Sequence, residues 1–212
     1  MSNPDTSIDP RILESAKKAF LKNGYQKTQL KEICEDAGIT TGALYNRYRG
    51  KEDLFSALVQ PAVEDINQLA LQREQVDPVT LSNGELLAVW EMYDHSSHSW
   101  SMQAWFDFLY ARKDEFTLLL TCAEGTRYGD YMDRWVERMA EGTYLYLQES
   151  MRRGMVGNPI SKKELFVLMA AFWATIDKPF LLKLSKQELD VHCKIVCEMF
   201  NWKKILDLKM PE

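Results

Sequence analysis

Apolar positions recur along this chain with the period of a helix, and no stretch alternates as a strand would. Leu30, Ile33, Cys34 and Ala37 fall on one face of a short helix. Thr28 stands before that run as a candidate N-cap. Gly38 follows it, a residue able to take the left-handed conformation that ends a helix. Leu44 and Tyr48, four apart, share a face of a second short helix, which Thr40 or Thr41 can cap. A third helix starts at Lys51, with Glu52 and Asp53 favourably placed in its first turn. Two short helices around a glycine-containing turn describe a helix-turn-helix.

The same period continues to the end of the chain. Pro10 opens a first helix that runs to Asn23, with Gly24 after its end. The helix from Lys51 extends to about Gln72, and Pro61 inside it predicts a kink or a break. A loop follows around Asp77 and Pro78. A helix over 84–110 is interrupted by the polar stretch Asp94 to Ser99. Helices over 113–122 and 130–153 come next, the latter ended by Gly154. Gly157, Asn158 and Pro159 form a loop. Two last helices cover 161–184 and 186–206. Ser161 and Glu164 make a capping box for the first of them, and Lys178-Pro179 should bend or shorten it. The expected fold class is all-α: a three-helix domain with a helix-turn-helix over residues 1–50, then a larger helical domain over 51–212.

The second short helix carries the chemistry. It begins Thr41, Gly42, Ala43, with Tyr45 and Asn46 close behind. Small residues let the start of a recognition helix approach base edges, and hydroxyls and free backbone N–H groups suit phosphate oxygens. By spacing alone, an ordinary helical corner fits equally well.

The segment Ile12–Phe55 resembles the tetracycline-repressor (TetR) family of bacterial transcription regulators. The resemblance is carried by Ile12, Leu13, Ala16, Ala19, Phe20, Gly24, Tyr25 and Thr28. It continues through Ile33-Cys34, Ala37-Gly38-Ile39-Thr40, Gly42-Ala43-Leu44-Tyr45, Tyr48 and Lys51-Glu52-Asp53-Leu54-Phe55, without gaps. Three positions depart from the family pattern. Gln29 stands where a second threonine is usual, Arg47 where His or Tyr is usual, and Tyr48 where Phe is usual. The resemblance implies that Thr28, Thr40, Thr41, Gly42, Ala43, Tyr45, Asn46, Arg47 and Lys51 face DNA. Thr40 and Lys51 would then be phosphate contacts, and Thr41, Ala43, Tyr45 and Asn46 would lie closest to base edges. It also implies a homodimer on a palindromic operator, formed through the two C-terminal helices. A small-molecule effector in the body would shift the helix from Lys51 onward and so release the DNA.

Composition bears on this at three points. Of 212 residues, 46% are hydrophobic, enough for a real core. The net charge of −5 looks wrong for a DNA-binding protein. Yet residues 9–55 hold nine Lys/Arg against seven acids, a net +2 on an acidic body, which fits a phosphate footprint confined to one end. The four cysteines form no disulfide framework, and no leader or membrane span is visible, so a cytoplasmic location is expected.

The body is rich in aromatics, and all six tryptophans lie beyond residue 89. Small-molecule sites are mostly apolar with a few polar groups. Trp100, Trp105, Tyr131, Trp135 and Trp173 are therefore candidates to bind an apolar or aromatic effector. The last two helices are apolar over more than one stripe, which suggests contact with a second copy of the chain. Leu165, Phe172, Leu189, Val196 and Phe200 are the candidate dimer residues. Two side-chain pairs, His95/His98 and Cys193/Cys197, have spacings that could bind a metal, but no third ligand is fixed, and no metal or cofactor is expected. No phosphate loop, nucleophile elbow or metalloprotease helix is present, so no catalytic residue is assigned. The alternatives are a helical dimeric sensor acting through protein partners and an enzyme without a recognisable motif.

Overall fold

The computed structural model describes residues 8–91 and 101–210. Eleven α-helices are present among them: α1 (Ile8–Lys27), α2 (Leu30–Ala37), α3 (Thr41–Tyr45), α4 (Lys51–Glu74), α5 (Asn83–Glu91), α6 (Met102–Ala111), α7 (Lys113–Thr121), α8 (Tyr131–Arg152), α9 (Lys162–Leu181), α10 (Lys186–Met199) and α11 (Trp202–Ile205). The one β feature among the described residues is an isolated antiparallel bridge between Val156 and Leu208.

The helices form two compact units that are discontinuous in sequence. One takes the residues up to Asn67 together with Lys113–Met132, and the other takes Gln68–Arg112 together with the residues from Asp133 onward. This division differs from a boundary at residue 50. The reason is that α7, far along the chain, packs with the first helices. Lys17 pairs with Asp114 at 3.3 Å, and the Cys122 thiol donates to the Phe20 carbonyl at 3.2 Å. The core of this first unit holds Ile12, Phe20, Ile33, Leu44, Phe55 and Phe116. The Phe20 and Phe55 rings meet edge to face at 5.3 Å, a geometry that aromatic quadrupoles favour.

In the second unit, Trp90 packs 6.2 Å from Trp202 and donates its indole N–H to Ser150 at 3.1 Å. Arg153 ties down the turn at 78–83 by donating to the carbonyls of Pro78, Val79 and Leu81 and to the Asn83 side chain. Glu149 holds Arg153 and Arg152 through charge-assisted bonds. Those bonds, Arg152 first, pull its carboxyl down to about 2.

One expectation about the helices is corrected and others hold. Helix α4 runs through Pro61 without a break. A proline removes one backbone donor, and here the buried Val59, Ala62, Val63 and Ile66 on both sides keep the helix packed. Pro179 lies near the end of α9, which stops at Leu181 rather than 184, the shortening expected of Lys178-Pro179. Helix α6 starts afresh at Met102, capped by the Ser101 hydroxyl, in line with the interruption expected within 84–110. The stretch from Asp94 to Ser99 lies outside the described residues. The capping box of Ser161 and Glu164 is present, and a second one, Ser185 with Glu188, starts α10.

Candidate nucleic-acid interface and ligand cavity

The turn between α2 and α3 is built on Gly38, whose φ of 65° is the left-handed conformation. Its N–H and that of Ile39 close the end of α2 on the carbonyls of Glu35 and Cys34, at 3.2 and 3.0 Å. Thr40 caps α3, its hydroxyl accepting from the Ala43 N–H at 3.2 Å. Leu44 anchors α3 in the core. What remains outward is Thr40, Thr41, Gly42, Tyr45 and Asn46, with Ala43 half-buried. Tyr45 is 57% exposed, a large ring left mostly open to solvent.

Three of the sequence-predicted residues are placed differently. Thr28 is not the N-cap of α2; that position is Gln29. The Thr28 side chain is 2% exposed, its hydroxyl lying 2.7 Å from the Gly24 carbonyl and 3.2 Å from that of Ala19. It closes the end of α1, where Gly24 (φ 75°, ψ 164°) interrupts the helix, and so is withdrawn from the outer face. The Lys51 ammonium points inward to the carbonyls of Tyr25, Gln26 and Thr28. Arg47 pairs with Asp9 at 2.6 Å and donates to the Ala43 carbonyl at 3.2 Å, fastening the end of α3 to the start of α1.

The second unit contains a cavity of about 370 Å³, inside the size range of small-molecule sites. Trp105, Trp135 and Trp173 line it together with Met102, Met139, Met169 and Phe172. Leu69, Ala70 and Arg73 from the last turns of α4 also contribute. The Trp105 and Trp135 rings are parallel within 6°, 6.4 Å apart. Trp173 stands edge-on to both at 6.0 Å. Tyr131 does not line the cavity; it belongs to the first unit and donates to the Asn67 side chain at 3.3 Å. Trp100 lies outside the described residues. The methionines and aliphatic wall residues could not be told from core by pattern, because both sit on inward helix faces.

The five candidate dimer residues, Leu165, Phe172, Leu189, Val196 and Phe200, are all buried within the single chain. Phe172 and Phe200 meet edge to face at 5.2 Å. A different stripe is open. Val191, Ile195 and Met199, four apart on α10, are each more than half exposed. On α9, Val167 is exposed along with Ala170, Ala171 and Ala174, as is Leu182 just past its end.

Two titrating features remain. Burial pushes the Asp177 carboxyl up to about 7, only partly countered by Lys178. The Cys197 thiol hydrogen-bonds Cys193 and lowers its ionisation range against the effect of burial. Both thiols are buried and unbridged. Among the described residues no three His, Cys, Asp or Glu side chains converge on a metal site. His95 and His98 are not among those residues. No helix of the described residues is long and apolar enough to cross a membrane.

A model of bacterial regulatory proteins of the tetR family matches residues 12–58. The transcriptional regulator TtgR of Pseudomonas putida is 38% identical over 82 residues, which are 37% of this chain and 39% of that protein. The matched segment thus spans less than half of the relative's length. Across nearly the whole chain, the backbone resembles a TetR-family regulator from Bordetella parapertussis, with a TM-score of 0.60 at 16% identity, covering 92% of this chain and 94% of that one. It also resembles FadR of Bacillus subtilis in complex with stearoyl-CoA, with a TM-score of 0.54 at 16% identity, covering 90% and 96%. These two likenesses establish a shared fold.

Proposed function

We propose that this chain, whose residues 12–58 match the model of tetR-family bacterial regulatory proteins, is a ligand-responsive transcriptional repressor. It acts in the cytoplasm, binding a palindromic operator as a homodimer. The observation that carries this reading is the outer edge of α3. Thr41, Gly42, Tyr45 and Asn46 are exposed beside a capped helix start, and the side chains around them are held by internal bonds. Small residues at the tip allow close approach to the major groove, and Tyr45 and Asn46 reach base edges. The Thr40 hydroxyl serves the backbone, so phosphate contact there falls to the first amides of α3, which have no partner within the helix.

The homodimer forms through the exposed stripe of Val191, Ile195 and Met199 on α10 and the small-residue face of α9. An apolar surface of this kind is where a second copy is expected to dock. The effector is a small, largely apolar or aromatic molecule bound in the cavity. Helix α4 contributes Leu69, Ala70 and Arg73 to the cavity wall, and its other end starts at Lys51, beside the helix-turn-helix in sequence. A ligand that shifts α4 thereby changes the separation of the two recognition helices.

The test is a gel shift with palindromic sequences from the neighbouring promoter region, repeated at several salt concentrations. Binding that weakens steeply with salt and is released by a cavity ligand supports the reading. Affinity no greater than for scrambled DNA overturns it and favours a sensor acting through protein partners. Reciprocity gives a second arm: operator must weaken effector binding by the same factor as effector weakens operator binding.

A further inference from the structure

Most polar groups of the cavity wall are bonded within the protein. Glu85 accepts from the N–H and hydroxyl of Ser82 at 2.8 and 2.7 Å. Arg73 donates to Thr143 at 3.2 Å, with its guanidinium 5.3 Å over the Tyr146 ring. Tyr146 donates to the Arg73 carbonyl at 3.2 Å. Ser101 caps α6. The indole N–H groups of Trp105 and Trp173 differ from all of these. Both are shielded from solvent, and neither has an acceptor among the described residues. Trp173 is more than nine-tenths buried. An orphaned buried donor is destabilising, and buried donors are nearly always satisfied. Two of them on one cavity point to an acceptor that arrives with the ligand.

Resting on the cavity reading above, we propose that the effector is a largely apolar compound carrying a carbonyl or ether oxygen, which accepts from the indole N–H of Trp173 or Trp105. The thioethers of Met102, Met139 and Met169 adapt to an aromatic guest. A volume of about 370 Å³ sits at the low end for ligand sites, so the guest is compact. The competing account is that each N–H lies against a neighbouring ring face, a weaker contact needing no ligand.

The experiment compares two probes of nearly equal shape, 2-acetylnaphthalene and 2-isopropenylnaphthalene, by calorimetric titration of the wild-type protein, Trp173→Phe and Trp105→Phe. Phenylalanine keeps an aromatic body and removes only the donor. The expected result is that the ketone loses roughly tenfold in affinity in at least one variant, the value of about one hydrogen bond, while the hydrocarbon changes less than twofold. If both probes bind but each variant affects them equally, the donor role falls and the cavity reading stands. If neither probe binds the wild-type protein, both fall. Trp105 is less buried than Trp173, so its variant remains informative if Trp173→Phe unfolds.

Discussion

The Lys51 ammonium lies 2.8 Å from the carbonyl oxygen of Tyr25, on a side chain that starts α4 from 26 residues further along the chain. The carbonyls of Gln26 and Thr28 take its other two donors, each at 3.1 Å, and the Tyr25 ring lies 4.5 Å beneath the charge. A lysine has three N–H donors, and all three are matched here. The side chain thus closes the end of α1, where Gly24 has ended the regular helix.

Lys51→Ala is therefore expected to act first on stability. Leaving the three carbonyls without their cation should cost roughly 1–3 kcal/mol, read as a lower urea midpoint with an unchanged slope. If stability is unchanged while the salt slope of operator binding drops by about one unit, the lysine is a phosphate contact after all.

Tyr45 should behave in the opposite way. Its ring is mostly exposed, so Tyr45→Ala should leave stability within about 0.5 kcal/mol and weaken operator binding at least tenfold, a loss within the range of a base-edge contact. Equal operator affinity for variant and wild type in a gel shift would remove Tyr45 from the interface.

Assembly separates two kinds of apolar residue on α10. Ile195→Asp, on the open stripe, should give folded monomers by light scattering with unchanged helical circular dichroism. Phe200→Asp places a charge in the core beside Phe172 and Trp202 and should unfold the second unit. A dimer that survives Ile195→Asp, and equally Met199→Asp, would place the interface elsewhere.

Asp177 gives a pH signature. Its carboxyl is raised from 3.8 to about 7 in the folded protein by burial. Between those values the native state holds the proton that the unfolded chain has lost. Stability from this group is thus fully present below pH 4 and declines as pH rises toward 7, by at most about 4 kcal/mol. Glu149 has the opposite sign. With its carboxyl at about 2, its contribution is present above pH 4.5 and fades as pH falls toward 2. Asp177→Asn should flatten the decline between pH 4 and 7 and leave the acid limb intact, as measured by urea unfolding across pH. A decline that persists in Asp177→Asn refutes this assignment.

What the sequence determined by itself was local. Glycine and hydroxyl caps act within a few residues of where they stand, so Gly38, the capping box of Ser161 and Glu164, and the end of α8 before Gly154 could be read in order along the chain. The helix-turn-helix was legible for the same reason, since its turn and its two short apolar faces are contiguous. Of the two prolines, Pro179 shortened α9 as its position implied, whereas α4 continues through Pro61, where Val59, Ala62 and Ile66 are buried around it. Helical periodicity shows how many apolar stripes a helix carries; which stripe turns inward depends on its neighbours. On α10 two stripes competed, and packing against α6 and α9 buried Leu189, Cys193, Val196 and Phe200, leaving Val191, Ile195 and Met199 outside. The roles of Thr28, Arg47 and Lys51 likewise depended on backbone carbonyls and a carboxylate brought near only by folding. A donor's partner is set by distance in space, and for Lys51 and Arg47 that meant groups more than twenty residues away along the chain.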